Sequence, residues 1–274
     1  MPRFSANLSM LFTELPFLDR FDRAARAGFE GVEFLFPYDH PAEEVAKALQ
    51  DSGLKLVLHN LPAGHWAAGE RGIACHPDRV VEFCEGLNQA LDYARVLGTP
   101  QINCLAGILP VGVDPEQAQA TLVRNLRQAA ATLGRKGVRL LMEPINTFDI
   151  PGFFVNRTAQ AMQIMDEVGS DNLYLQYDIY HAQRMEGELS ATLHKHLSRI
   201  AHVQIADTPG RHEPGTGEIN YQHLFNWLDE IGYSGWVGCE YKPRNPQPGG
   251  TEAGLGWMPV RQGMPSGAVC SAMT

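Results

Sequence analysis

The stretch DPEQAQATLVRNLRQAAATLGRKGVRLLME, residues 114–143, holds one complete helix-to-strand unit. Asp114 stands where a helix N-cap belongs, and Pro115 takes the first helical position, where a missing N–H costs nothing. Apolar residues then return at a 3.6-residue spacing as far as Leu133, and Gly134 ends the pattern where a left-handed cap is wanted. The VRLLM that follows, residues 138–142, is apolar on both faces, as a strand buried in a parallel sheet must be.

Working outward, the same unit recurs. Strand-like runs are expected at residues 3–8, 31–36, 55–60, 101–106, 138–143, 173–178, 202–207 and 236–240, with amphipathic patterns such as 17–27 and 82–97 between them. Gly28, Gly53, Gly98, Gly169 and Gly232 repeat the stop signal of Gly134 just ahead of the next strand. Eight such alternations over roughly 260 residues predict an α/β architecture with a parallel sheet. A doubly wound open sheet would offer a Gly-rich first turn after its first strand, and ANLSMLFTELPF, residues 6–17, contains no glycine. The reading is therefore a single-domain (β/α)₈ TIM barrel over residues 1–258. Residues 259–274, rich in proline, glycine and small side chains, are expected to form an irregular tail.

Composition narrows the function classes. With 44% hydrophobic and 19% charged residues the chain is an ordinary globular protein. Twenty-two basic against 31 acidic residues give a formal charge of −9, which argues against nucleic acid or an anionic membrane as partner. The five cysteines are scattered without CxxC spacing, so neither a disulfide framework nor a zinc knuckle is indicated. No signal-like leader and no apolar run of about 18 residues is present, so a cytoplasmic protein is expected.

The chemistry is carried by where polar residues fall. Four successive later strands end in an oxygen donor: Glu143 in LLMEPIN, Asp178 in LQYDIYH, Gln204 in HVQIAD and Glu240 in GCEYKP. In a barrel those ends converge on one mouth. Three carboxylates aimed at one volume repel each other, and a divalent cation is the simplest remedy. Oxygen donors suit Mg²⁺, or Mn²⁺, and a Gln at position 204 rather than a His turns the set away from zinc. His59 ends the third strand, His181 follows Asp178 by three residues, and Asn7 ends the first strand; each is a candidate for the same mouth, as is Glu33 within the second strand. Arg71, Arg211 and Lys242 are candidate cations for an acidic substrate. EPGTGEIN, residues 213–220, lacks the lysine of a phosphate-binding loop and reads as a tight βα loop.

With these residues in place, the chain closely resembles hydroxypyruvate isomerases of the xylose-isomerase-like barrel superfamily. The resemblance runs through RFSANLSMLF (3–12), GVEFLFPYD (31–39), HNLPAGHWAAGERGIAC (59–75), EPINTFDIPGF (143–153), QYDIYHAQRMEGEL (176–189), HVQIADTPGRHEPGTGEINY (202–221) and GYSGWVGCEYKP (232–243). It implies that Glu143 and Glu240 are the proton donor and acceptor, and that Glu143, Asp178, Gln204 and Glu240 form the metal set. The final sixteen residues look unrelated to the family pattern.

The implied reaction exchanges a carbonyl and a hydroxyl on adjacent carbons of a small sugar acid, by proton abstraction and an enediolate. A metal-assisted hydride shift is the mechanistic alternative, and solvent deuterium entering the product distinguishes the two. Sibling activities on the same site are 2-oxo-tetronate isomerisation and ketose 3-epimerisation. A DNA-repair endonuclease of the same superfamily would want more histidine ligands and a basic groove, against the charge of −9. A non-catalytic sugar-acid binder would not need both glutamates. A homo-oligomer is compatible with the sequence.

Overall fold

The computed structural model describes residues 1–258; the expected irregular tail, residues 259–274, lies outside the described residues. Each strand-like run becomes a parallel strand: β1 (Arg3–Asn7), β2 (Gly31–Glu33), β3 (Lys55–Asn60), β4 (Gln101–Cys104), β5 (Arg139–Met142), β6 (Leu173–Asp178), β7 (Ile200–Ile205) and β8 (Trp236–Cys239). Every strand pairs with the next in order, and β1 pairs with β8 from Arg3↔Trp236 to Ala6↔Cys239. That last pairing closes the sheet and excludes the open doubly wound alternative.

Between the strands run α1 (Arg20–Arg26), α2 (Ala42–Ser52), α3 (Val80–Leu97), α4 (Pro115–Gly134), α5 (Thr158–Val168), α6 (Ile179–Met185), α7 (Leu189–His196) and α8 (Tyr221–Glu230), with α9 (Gly250–Ala253) after β8. In α4 the buried face is Ala118, Leu122, Leu126, Ala129, Ala130 and Leu133, the periodic set of the sequence. Burial of each leucine there contributes about 1.5–3 kcal/mol. Asp114 sits at the N-cap in extended conformation, but its side chain makes no capping hydrogen bond.

Gly134 is not the left-handed stop. It is the last residue of α4, packed so that a Cβ there would lie 3.1 Å from Asn172 Nδ2; the positive φ falls at Gly137 (71°). Asn172 needs that space, since its Nδ2 donates to Ala130 O and Val138 O and ties the end of α4 to the start of β5.

The main apolar core fills the layer between sheet and helices. A second, smaller cluster of Val57, Leu58 and Leu141, with Tyr174, Ala201 and Trp236 against it, sits toward the N-terminal ends of the strands. Above it the barrel interior turns polar: Ser5, Asn7, Glu33, Asn103, Gln176, His202 and Gln204 are all buried. Barrel interiors are usually filled by branched apolar side chains.

Candidate active site

The C-terminal ends of the strands surround a cavity of about 760 Å³, whose lining includes Glu143, His181, Arg211 and Glu240. Glu143, Asp178, His181 and Glu240 each place a potential ligand atom within 4.8 Å of the others, and all four are buried. Three of the four expected strand-end donors therefore meet. Gln204, the fourth, lies beside them with its amide engaged on both sides: Nε2 donates to Glu33 Oε1 (2.8 Å) and Oε1 accepts from Gln176 Nε2 (2.6 Å).

Burial, then Glu240 and Asp178, pushes the Glu143 carboxyl well above the ordinary carboxylate range. Burial also pushes Glu240 up, to about 8; Arg211 opposes this, while Asp178 and Glu33 add to it. Asp178 is likewise raised by burial. Arg211 answers this crowd: its Nη2 is 2.8 Å from Glu240 Oε2 and 3.7 Å from Asp178 Oδ2. Burial works against the guanidinium, yet Glu240, Asp178 and Glu143 together hold its pKa above the usual value. Its plane also rests 5.1 Å over the Tyr180 ring.

His181 is a neutral hydrogen-bond donor through Nε2. Asn146 Oδ1 accepts from the backbone N–H groups of Phe148 and Asp149, which turns its amide nitrogen toward His181 Nδ1 at 2.6 Å. Nδ1 must then accept, and burial followed by Arg211 and Arg184 keeps the ring neutral by holding its pKa well below the usual value. The single ring proton is left on Nε2, 3.5 Å from Asp178 Oδ2 and 3.7 Å from Glu143 Oε1. A ring in that state offers an N–H to a substrate oxygen.

Of the other candidates, Arg71 and Lys242 line the cavity. Arg71 stacks 4.1 Å over Trp66, and its Nη1 donates to the carbonyls of Trp66 and Glu70. Asn7 is buried below the mouth and donates from Nδ2 to both Glu240 Oε1 and Glu33 Oε1 at 3.3 Å. His59 does not face the cavity. A register shift between β2 and β3 pairs Val32 with Leu56 but Glu33 with Leu58, so Leu58 and Asn60 share the inner side and His59 turns outward. It is fully buried against Phe34 and Tyr38, with Nδ1 3.1 Å from Thr99 Oγ1.

Residues that sequence reading missed complete the site. Asn103 and Gln176 donate to Glu143 Oε2 at 3.0 and 2.8 Å. Both sit on inward positions of their strands, and Gln176 lies two residues before Asp178, so the period of 2 carried that signal. Asp207 accepts from four backbone N–H groups, those of Thr208, Gly215, Gly217 and Ile219, and so organises the loop that carries Arg211 at φ 55°. This is the βα loop expected from EPGTGEIN. At the outer mouth, Asp149, Tyr180 and Arg184 bond one another, with Tyr180 Oη to Asp149 Oδ2 at 2.8 Å.

Residues 21–260 match the family model described as xylose isomerase-like TIM barrel. The chain belongs to that family. It is 58% identical to the hydroxypyruvate isomerase of Escherichia coli (strain K12), over 94% of this chain and 98% of that one. A 2-oxo-tetronate isomerase of Cupriavidus necator is 48% identical over the same shares of both chains. Among solved structures, one titled AP endonuclease, family 2, from Brucella melitensis superposes with a TM-score of 0.90 at 46% identity, covering 94% of this chain and 98% of that chain. No helix among the described residues is long and apolar enough to cross a membrane.

Proposed function

We propose that this chain is a hydroxypyruvate isomerase, interconverting hydroxypyruvate and tartronate semialdehyde through an enediolate. The observation that carries the proposal is the pair Glu143 and Glu240, two buried carboxyls at one cavity with ligand atoms within 4.8 Å. The 58% identity to a hydroxypyruvate isomerase over nearly the whole of both chains supports the choice of substrate.

Glu240 is the base: Arg211 Nη2, 2.8 Å from its Oε2, favours the carboxylate form that can take a proton. It removes the proton from the hydroxyl-bearing carbon of hydroxypyruvate and returns it to the adjacent carbon. Glu143, held by Asn103 and Gln176, passes the hydroxyl proton between the two neighbouring oxygens. His181 Nε2–H faces the oxygen on which negative charge develops, and Arg211 keeps Glu240 in place while adding positive potential. Arg71 and Lys242 receive the substrate's carboxylate at the mouth.

The residues fit a divalent cation, Mg²⁺ or Mn²⁺. Asp178 Oδ2 is buried with no hydrogen-bond partner, and Glu143 and Glu240 add further hard oxygens beside it. Glu143, Asp178 and Glu240 would hold the ion, with the remaining lone pair of Gln204 Oε1 as a fourth donor. When bound, such an ion supplies Lewis-acid stabilisation of negative charge on the substrate's adjacent oxygens.

A second reading has its own support. The cavity of about 760 Å³ exceeds what a three-carbon acid fills, and a relative named for 2-oxo-tetronate is 48% identical. Four-carbon 2-oxo acids are therefore the first alternative substrates. The test is an NMR assay of hydroxypyruvate and 2-oxo-tetronate in deuterated buffer, with and without a chelator. Turnover of hydroxypyruvate with deuterium entering the product, stopped by chelation and restored by Mg²⁺, is expected. Strict retention of substrate hydrogen would overturn the proton-transfer mechanism, and turnover of the four-carbon acid alone would overturn the substrate.

A further inference from the structure

Below the cavity, Glu33 is completely buried and bonded on every side. Its Oε2 accepts from Ser5 Oγ (2.9 Å) and from His202 Nε2 (2.8 Å). Its Oε1 accepts from Gln204 Nε2 (2.8 Å) and Asn7 Nδ2 (3.3 Å). An ionised carboxylate can only accept, so it forces each of these neighbours to present a hydrogen.

For an amide that demand has a consequence one residue further on. Gln204 must turn its NH₂ toward Glu33, which leaves its oxygen facing the other way, where Gln176 Nε2 donates to it at 2.6 Å. The Gln176 NH₂ is thereby fixed as well, and it also donates to Glu143 Oε2 at 2.8 Å. Asn7 runs a shorter branch, from Glu33 Oε1 directly to Glu240 Oε1. Both glutamates of the proton-transfer pair are thus reached from one carboxylate through amides whose polarity it sets.

The barrel reserves space for that carboxylate. Gly238 on β8, two residues before Glu240, is the point where a Cβ would collide with both oxygens of Glu33. It pairs with Ser5 on one side and Gln204 on the other, so the niche is enclosed by the same residues that bond its occupant.

We propose that Glu33 is the positioning residue of this site: through Gln204, Gln176 and Asn7 it fixes which amide atoms face Glu143, Glu240 and the candidate cation site they would form, and Gly238 is the space it requires. The inference rests on the isomerase reading above. Glu33 touches no reacting atom, and its effect is exerted through its neighbours.

The test uses Glu33→Gln and Gly238→Ala. The first removes the charge and the all-acceptor demand, so the polarity of the Gln204, Gln176 and Asn7 amides is no longer dictated from position 33. The second leaves Glu33 chemically intact and evicts it from its place. Each is expected to lower kcat about 10–100-fold on hydroxypyruvate and to weaken Mn²⁺ binding, read by electron paramagnetic resonance, by about tenfold. KM is expected to stay within about threefold, because no substrate contact is removed. The double variant should be no worse than the poorer single one, since both break the same device.

Thermal melts by circular dichroism confirm that each variant is folded at the assay temperature. Folded variants with wild-type kcat and wild-type Mn²⁺ affinity would overturn the proposal, as would losses that simply add in the double variant. A variant that fails to fold leaves the decision to the other. Wild-type protein that binds Mn²⁺ without turning over hydroxypyruvate defeats the isomerase reading alone, and the Mn²⁺ affinities then decide on Glu33. Wild-type protein that does neither defeats both.

Discussion

Arg211 Nη2 and Glu240 Oε2 meet at 2.8 Å, and this contact gives the cluster of Glu240, Asp178 and Glu143 a close guanidinium partner. The pair joins the loop after β7 to the end of β8, so charge balance at the site depends on how that loop is held. Arg211→Met is expected to lower kcat/KM about 100-fold, some 2.7 kcal/mol of transition-state stabilisation. Arg211→Lys should recover only part of it, because a point charge replaces the planar fork. Steady-state kinetics on hydroxypyruvate would check both.

The two glutamates should fail differently. Each change to glutamine is expected to reduce kcat by roughly 10²–10⁴-fold. With Glu240 as the base at carbon, Glu240→Gln should also stop deuterium entering recovered substrate. Glu143→Gln should still exchange that hydrogen while forming little product. The reverse pattern, read by NMR in deuterated buffer, would swap the two roles.

Arg71 lines the cavity stacked on Trp66, and its Nη1 donates to the Trp66 and Glu70 carbonyls rather than to a carboxylate of the cluster. Its removal should therefore affect binding rather than chemistry. Arg71→Ala is expected to raise KM about tenfold with kcat within about threefold. A fall in kcat of the same size as the rise in KM would mean that Arg71 acts in the transition state.

His59 predicts a pH dependence of stability unconnected with catalysis. Burial lowers its pKa from an ordinary 6.5 to about 3. The unfolded chain therefore binds a proton on this ring that the folded protein refuses. Its contribution is fully present above pH 6.5 and is lost as pH falls toward 3, at about 1.4 kcal/mol per pH unit. Denaturant unfolding of wild type and His59→Gln at pH 7, 6, 5 and 4 should show the variant losing less stability on acidification. Parallel losses would sink this reading.

The barrel was legible in the sequence because its signals are local. Apolar runs, helical periodicity and glycine stops are each read within a dozen residues, and they placed all eight strands. Their ends moved where pairing decides: β2 stops at Glu33 rather than residue 36, and β7 begins at Ile200 rather than 202. Glu143, Asp178 and Glu240 were legible because strand ends converge in any barrel. His59 was placed on the wrong face because a register shift between two strands is a tertiary fact that no single run displays. Asn103, Gln176 and Asp207 escaped for a related reason. Each owes its role to partners outside its own run, such as Glu143, 40 residues from Asn103 and 33 from Gln176, or Ile219, 12 residues from Asp207.

Asp207 has one further consequence. Its two oxygens hold the amides of Thr208, Gly215, Gly217 and Ile219, so freeing that one side chain would release four donors together. Segments that open as a unit share a single opening free energy in native-state hydrogen exchange. The four amides should therefore exchange at a common equilibrium constant despite spanning twelve residues. In Asp207→Asn they should speed up together, and Arg211 would lose its fixed perch in the same event.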